Sequence, residues 1–210
     1  MDTLAQFPLM IIAILVAITV HEWAHAIVAK RLGDSTAESM GRLTLNPIAH
    51  LDPVGAILFL LVGFGWAKPV PVDARNFRHP VRDAAFVAVA GPVSNVVLAF
   101  VSAAVYAFMP ASSATAIVMI TTLLQFSVHI NLALMAFNLL PVPPLDGSNI
   151  LRLFIPWRMR DQYEEFMQYG PWLLLGVLLV ESFLRIPILS GWVNGISGAV
   201  LGVFSLVLPL

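Results

Sequence analysis

Long apolar stretches alternate with short polar ones along this 210-residue chain. Residues 4–29 predict a helix long enough to span a hydrocarbon core of roughly 30 Å. Residues 84–145 contain no Asp, Glu, Lys or Arg, and a break at residues 110–113 divides them into two further spans. Residues 166–184 and 186–210 predict the last two spans. The pattern therefore predicts an all-α polytopic membrane protein.

The chain between the first and second long spans has a mixed pattern. Residues 41–45 alternate polar and apolar side chains before Asn46-Pro47, which predicts a short β-hairpin near residues 41–51. Residues 53–67 are uncharged, but they are too few and too rich in glycine for a comfortable crossing, so they predict a re-entrant half-helix. The expected fold is five transmembrane helices plus this half-helix, with six transmembrane helices as the alternative.

Composition agrees with a membrane location and limits the partners. Hydrophobic residues make up 59% of the chain and charged residues 11%, against roughly 25% charged in an average soluble domain. The net charge of -1 and the lack of a basic run argue against nucleic acid as a partner, which leaves the lipid bilayer as the expected environment. The absence of cysteine excludes disulfides and cysteine-ligated metals.

The basic residues predict the orientation of the chain in a cell membrane. All Lys and Arg residues except Arg185 fall in loops that the five-span arrangement places on one face, and the positive-inside rule makes that face cytoplasmic. The arrangement requires residues 53–67 to enter and leave the membrane on the same side. Arg185 is expected at the opposite face.

The chemically informative motif lies inside the first span, at His21-Glu22-Trp23-Ala24-His25. Residues four apart share a helix face, so the two imidazoles can hold one Zn²⁺ while Glu22 stands beside a metal-bound water. His25 lies about 7 to 8 Å from Lys30 along the helix axis, at roughly 1.5 Å per residue, which predicts a submerged site close to the cytoplasmic surface. The alternative is a hydrogen-bonded structural cluster, although ionisable groups in membrane helices usually bind something.

Two imidazoles leave a catalytic zinc ion one protein ligand short. Asp146 is the best candidate, because it ends the long uncharged stretch at the cytoplasmic end of its span, level with the two histidines. The alternative is an interfacial aspartate that caps a helix beginning near Ser148.

Taken together, these motifs resemble those of site-2 protease family intramembrane zinc metalloproteases, of the compact prokaryotic type without PDZ or CBS domains. His21 to His25 match the family's HExxH motif, and residues 138–147, Asn-Leu-Leu-Pro-Val-Pro-Pro-Leu-Asp-Gly, match its second signature. Residues 91–95 and 65–72 match as well. The resemblance implies one membrane-embedded peptidase domain over residues 1–210, with a catalytic core at about 4–150 and C-terminal helices at about 166–210.

The resemblance also implies a mechanism and a substrate class. One Zn²⁺ per chain would be held by His21, His25 and Asp146, with Glu22 as general base. Asn95 and Asn138 are candidates for hydrogen bonds to the oxyanion or the substrate backbone, and each is equally plausible as an interhelical hydrogen-bonding residue. Substrates would be transmembrane proteins cleaved in regulated intramembrane proteolysis. The predicted strand at residues 41–45 could hold an unwound substrate segment by β-augmentation, and the alternative is a simple surface hairpin.

Other functions fit part of the pattern. An ion or proton transporter could use the same buried His, Glu and Asp residues as a relay, and it would transport ions in liposomes without cleaving peptides. A catalytically idle homologue could bind transmembrane helices, although an intact Glu22 argues against it. Because 210 residues leave no room for the regulatory modules of larger members, any such regulation would come from another membrane protein.

Overall fold

A computed structural model describes residues 3–62 and 65–209 of the chain. That part of the chain contains eight α-helices and three short 3-10 helices. The α-helices are Thr3–Arg31 (α1), Thr36–Ser39 (α2), Pro53–Val62 (α3), Pro80–Ala107 (α4), Thr115–Asn138 (α5), Asp146–Arg152 (α6), Arg160–Leu184 (α7) and Leu189–Phe204 (α8). The 3-10 helices are Pro47–His50, Ala74–Asn76 and Trp157–Met159. The prediction of an all-α fold is confirmed.

Four helical segments of the described chain are long and apolar enough to cross a membrane. They are Gln6–Arg31, Pro80–Ala107, Thr115–Asn138 and Trp157–Leu184. The last helix, α8, is apolar but has only 16 residues. The chain is therefore a multi-pass membrane protein.

Polar side chains inside the bundle align α1, α4 and α5 with one another. Asn95 on α4 donates its amide N–H groups to the Ala17 carbonyl of α1, at 3.2 Å, and to Oδ1 of Asn131 on α5, at 2.8 Å. Ser102 and Ser127 form a further hydrogen bond between α4 and α5 at 2.7 Å. Hydrogen bonds of this kind contribute only about 0.6 kcal/mol each in a membrane, so they specify the register of the helices more than they stabilise the fold.

The last helix, α8, packs antiparallel to α5. The Trp192 indole N–H donates to the Ala136 carbonyl at 2.8 Å, near the end of α5 that leads to Asp146. At the other end of α8, Phe204 lies edge-on to Phe100 of α4, with ring centroids 5.2 Å apart. The start of α8 is therefore at the same end of the bundle as Asp146.

The first turn of α8 is held against the loop that follows α5. Leu189 packs in a buried cluster with Leu140 and Leu145, and the Glu181 carboxylate accepts hydrogen bonds from the backbone N–H groups of Leu189 and Ser190. These contacts place the first turn of α8 beside the loop that leads to Asp146.

The predicted hairpin at residues 41–51 is wrong. In the described residues there is no β-strand, only one antiparallel bridge between Leu51 and Ala67. Asn46 caps the 3-10 helix by accepting a hydrogen bond from the Ile48 N–H, and the buried His50 ring donates to the Thr44 carbonyl at 2.9 Å. These local bonds use the backbone groups that a strand partner would need, and Pro47 has no N–H to offer.

Helix α3 and the chain that returns from it are held side by side. The Lys68 N–H donates to the His50 carbonyl at 3.0 Å, beside the bridge between Leu51 and Ala67. At Gly55, a Cβ atom would lie 2.2 Å from the Trp66 carbonyl oxygen, so the first turn of α3 touches the returning chain directly. The two segments that flank α3 are therefore neighbours.

Asp34 attaches the following segment to the end of α1. Its buried carboxylate accepts hydrogen bonds from the N–H and hydroxyl of Thr36, from the Asp73 N–H and from the Asn76 amide. Burial by itself would raise the pKa of the Asp34 carboxyl, but these hydrogen bonds outweigh it and lower the pKa below its ordinary value. The charged form of Asp34 thus fastens residues 73–76 beside α1.

Candidate metal centre

Two histidines from α1 and one aspartate from α6 converge in the bundle. Nε2 of His21 and Nε2 of His25 are 3.0 Å apart, and each lies 3.3 Å from Oδ2 of Asp146. Both histidines are buried, and the Asp146 side chain is 16% exposed. These three residues form the one group in the described chain whose ligand atoms are close enough to hold a common metal ion.

The other ring nitrogens determine which tautomer each histidine adopts. Nδ1 of His21 is 2.6 Å from Oδ1 of Asn95, and Nδ1 of His25 is 2.8 Å from the Val87 carbonyl. Both partners are oxygen atoms that can only accept, so each Nδ1 carries the proton and donates it. In the neutral form, each imidazole therefore presents an unprotonated Nε2 to the other two ligand atoms.

These residues fit a zinc ion. Three electron-pair donors face one another, and Oδ2 of Asp146 is buried without a hydrogen bond. Such an arrangement is repulsive unless a cation lies among the three atoms. Tetrahedral zinc with bonds of about 2.0–2.1 Å places its ligand atoms about 3.3–3.4 Å apart, which matches both 3.3 Å distances to Asp146 and is slightly longer than the 3.0 Å between the two histidines.

Gly91 provides the space for the two imidazoles. A Cβ atom at this position of α4 would lie 2.5 Å from Cε1 of His21 and 2.5 Å from Nε2 of His25. Gly91 belongs to the matching residues 91–95, but the sequence pattern predicted no role for it. The available signal was a glycine inside an apolar helix, where glycine is otherwise unfavourable.

We predict that Gly91→Ala lowers zinc affinity by about 10- to 100-fold, the range found when the support of a ligating histidine is lost. The added methyl group would push both rings away from Asp146. Competition with a chromophoric chelator measures this affinity in purified protein. The matched control is Gly176→Ala on α7, where a Cβ atom meets nothing within 4 Å and zinc affinity should not change. Equal affinities in the two variants would refute a steric role for Gly91.

Glu22 lies beside the ligand cluster without belonging to it. The residue is half-buried, and its Oε2 accepts a hydrogen bond from the Val70 N–H at 2.8 Å. Among the described residues, the other carboxylate oxygen has no hydrogen-bond partner. One oxygen is thus fixed by the protein and the other is available for chemistry.

The two candidate asparagines differ in what they contact. Asn95 uses its oxygen for His21 and both amide hydrogens for Ala17 and Asn131, so it keeps no N–H group for a substrate. Asn138 donates to the Leu134 carbonyl of its own helix at 3.0 Å. Asn95 therefore has no donor left, whereas the second amide hydrogen of Asn138 has no acceptor among the described residues.

Several membrane-spanning candidates around a buried His-His-Asp set of candidate ligands are typical of a membrane-embedded metalloenzyme. Comparison with known families identifies the kind of metalloenzyme, because the sequence profile of peptidase family M50 matches residues 9–116 and 108–180. The chain belongs to this family, which is the site-2 protease family. It is an intramembrane zinc metalloprotease, as the resemblance implied. Family membership also implies membrane-protein substrates.

Individual relatives agree with the family match. The chain is 44% identical over 193 residues to "Putative zinc metalloprotease YwhC" of Bacillus subtilis, which covers 89% of this chain and 88% of that protein. It is 29% identical over 192 residues to the Rip2 protein of Mycolicibacterium smegmatis, covering 89% and 70% of the two chains, and 33% identical over 133 residues to the MJ0611 protein of Methanocaldococcus jannaschii, covering 63% of each. Both carry the same descriptive name. No solved structure matches the chain.

Proposed function

We propose that this chain hydrolyses peptide bonds in or near transmembrane helices, with His21, His25 and Asp146 holding one zinc ion and Glu22 acting as general base. The observation that carries the proposal is the convergence of three unprotonated ligand atoms inside the helix bundle, with Glu22 beside them. The whole chain, residues 1–210, acts as one membrane-embedded peptidase domain.

The residues divide the chemistry among them. A bound zinc ion supplies a Lewis acid for the scissile carbonyl and the attacking water. Glu22 takes a proton from that water and returns it to the leaving amine, so that its carboxylate is regenerated after each cleavage. Asn95 and the Val87 carbonyl hold the two imidazoles in the tautomer whose Nε2 lone pairs point inward.

Asn95 is better suited to positioning His21 than to stabilising an oxyanion, because its hydrogen-bonding groups are fully used. Asn138 could contribute an oxyanion donor through the amide hydrogen that the Leu134 carbonyl does not accept, and its side chain is half-buried.

The site is proposed to face the cytoplasm. The loops at the end of the bundle away from Asp146, residues 108–114 and 205–209, contain no Lys or Arg. All Lys and Arg residues except Arg185 are predicted to lie in loops at the Asp146 end, so the positive-inside rule favours a cytoplasmic position for that end. Helix α3, whose two flanking segments are neighbours, is proposed to be the re-entrant half-helix.

The proposal is tested on the purified full-length protein in detergent, with quenched-fluorescent single-span peptides that carry Gly and Pro in their apolar centre. These residues weaken the helix, which exposes a peptide group to attack. We expect close to one zinc ion per chain, cleavage that stops after dialysis against a chelator, and recovery with zinc but not with magnesium. Zinc-loaded protein that cleaves none of the peptides but transports ions in liposomes would instead support the transporter.

A further inference from the structure

The general base is in contact with a segment far from it in sequence. The Val70 N–H, 48 residues away from Glu22, donates to Oε2 of Glu22 at 2.8 Å. A glutamate side chain has three rotatable bonds, so a carboxylate without such a contact would sample several positions relative to the ligand cluster. A backbone donor on a rigid segment removes that freedom.

The segment that carries Val70 is fixed on both sides of Lys68. The Arg42 guanidinium donates to the Lys68 carbonyl at 2.6 Å, and the Lys68 N–H donates to the His50 carbonyl at 3.0 Å. Val70 itself stands between Pro69 and Pro71, whose rings restrict the backbone to extended conformations. The position of the Val70 N–H is therefore set by the surrounding structure.

Arg42 is an unexpected residue to bury for stability alone. The residue is 6% exposed, and among the described residues no carboxylate forms an ion pair with it. Its Nε is buried without a hydrogen bond. A buried cation without a counter-ion is unfavourable, so its contact with the Lys68 carbonyl calls for a role that outweighs this penalty.

We infer that the Val70 N–H is the donor that positions the Glu22 carboxylate for proton transfer, and that Arg42 is a positioning residue that acts through this segment. The inference rests on the proposed role of Glu22. With Oε2 fixed by Val70, Oε1 is the oxygen that takes the proton from the attacking water. No bond to zinc is involved, so loss of the contact affects the chemical step and spares the metal.

The contact is first tested without any assay of activity. We expect the Val70 amide to exchange its hydrogen slowly in the wild-type protein and at least about tenfold faster in Glu22→Ala, since the acceptor is then missing. Nuclear magnetic resonance of valine-labelled protein resolves this amide. Val72 is the internal reference, because its N–H makes no hydrogen bond within the described chain. The same exchange rate at Val70 in both proteins would overturn the inference.

The catalytic role is tested with Val70→Pro, which deletes the N–H at a position that already precedes a proline. We expect kcat on the quenched-fluorescent peptides to fall about tenfold, with KM within about twofold and zinc content unchanged. Val72→Pro is the matched control, and its kcat should equal that of the wild type. Arg42→Met should lower kcat in the same direction and add little to Val70→Pro, because both changes act on one contact.

The outcomes separate this inference from the proposed function. If Glu22→Gln cleaves as well as the wild type, the proposed function fails. If Glu22→Gln is inactive while Val70→Pro keeps the wild-type kcat, only the positioning role is refuted. A rise in KM alone would assign the segment to substrate binding and also refute it. Loss of zinc in Val70→Pro would reveal a structural role of that residue, and Arg42→Met would then decide the question. A lower kcat in Arg42→Met with unchanged zinc content would support the inference, and a wild-type kcat would refute it.

Discussion

Asp146→Ala is expected to lose zinc and activity together. Removing this carboxylate leaves His21 and His25, two residues of one helix, as the remaining protein ligands. Because catalytic zinc normally has three protein ligands, we expect zinc affinity to fall on the order of a thousandfold. Metal analysis of purified protein after mild chelator dialysis should give close to one zinc ion per wild-type chain and a small fraction of that in the variant.

A matched substitution controls for the loss of a carboxylate. Asp161 lies exposed at the start of α7 and outside the ligand cluster, so Asp161→Ala should keep the zinc content of the wild type. Full zinc content in Asp146→Ala would show that other residues hold the metal, and the three-ligand site would be refuted. The backbone contacts of α6 do not depend on the Asp146 side chain, so the fold should survive.

Glu22→Gln is expected to separate catalysis from metal binding. The amide has nearly the shape of the carboxylate but cannot accept the proton, and general acid–base catalysis contributes about 10²- to 10⁴-fold. We therefore expect kcat to fall by that factor while zinc content stays at the wild-type value. Cleavage of the quenched-fluorescent peptides measures kcat, and metal analysis of the same preparation shows whether the site is intact.

The control for Glu22→Gln is Glu38→Gln. Glu38 is a solvent-exposed residue on α2 that pairs with Lys30, so its neutralisation should leave kcat unchanged. A wild-type rate in Glu22→Gln would mean that another group accepts the proton. Loss of zinc in the same variant would mean that Glu22 has a structural role at the site. Either result would remove Glu22 from its proposed role.

Much of the fold and of the candidate site could be predicted from the sequence, because the relevant signals are local. Helical periodicity places His21 and His25 on one face of α1, and hydrophobic runs of more than 20 residues show where helices cross a membrane. The membership of the site-2 protease family, predicted from the two signatures, is confirmed by the family match. The candidate ligands of that prediction are the residues that the structure brings together.

The error in the fold prediction has a local physical cause. The hairpin prediction for residues 41–51 relied on alternation, but His50 and Asn46 bond to nearby backbone groups and give a turn and a 3-10 helix. Specific side-chain contacts overrode a pattern that several structures could share.

Local sequence features were enough to predict a membrane-embedded zinc site, because the histidine spacing, the isolated aspartate and the apolar spans can each be interpreted without knowledge of their neighbours in space. The supporting contacts depend on pairs separated by tens of residues. Asn95 selects the tautomer of His21, Gly91 makes room for both rings, and Val70 contacts Glu22. Such contacts arise only when α1, α4 and the 65–72 segment pack together, since no periodicity records which distant backbone group a side chain will meet.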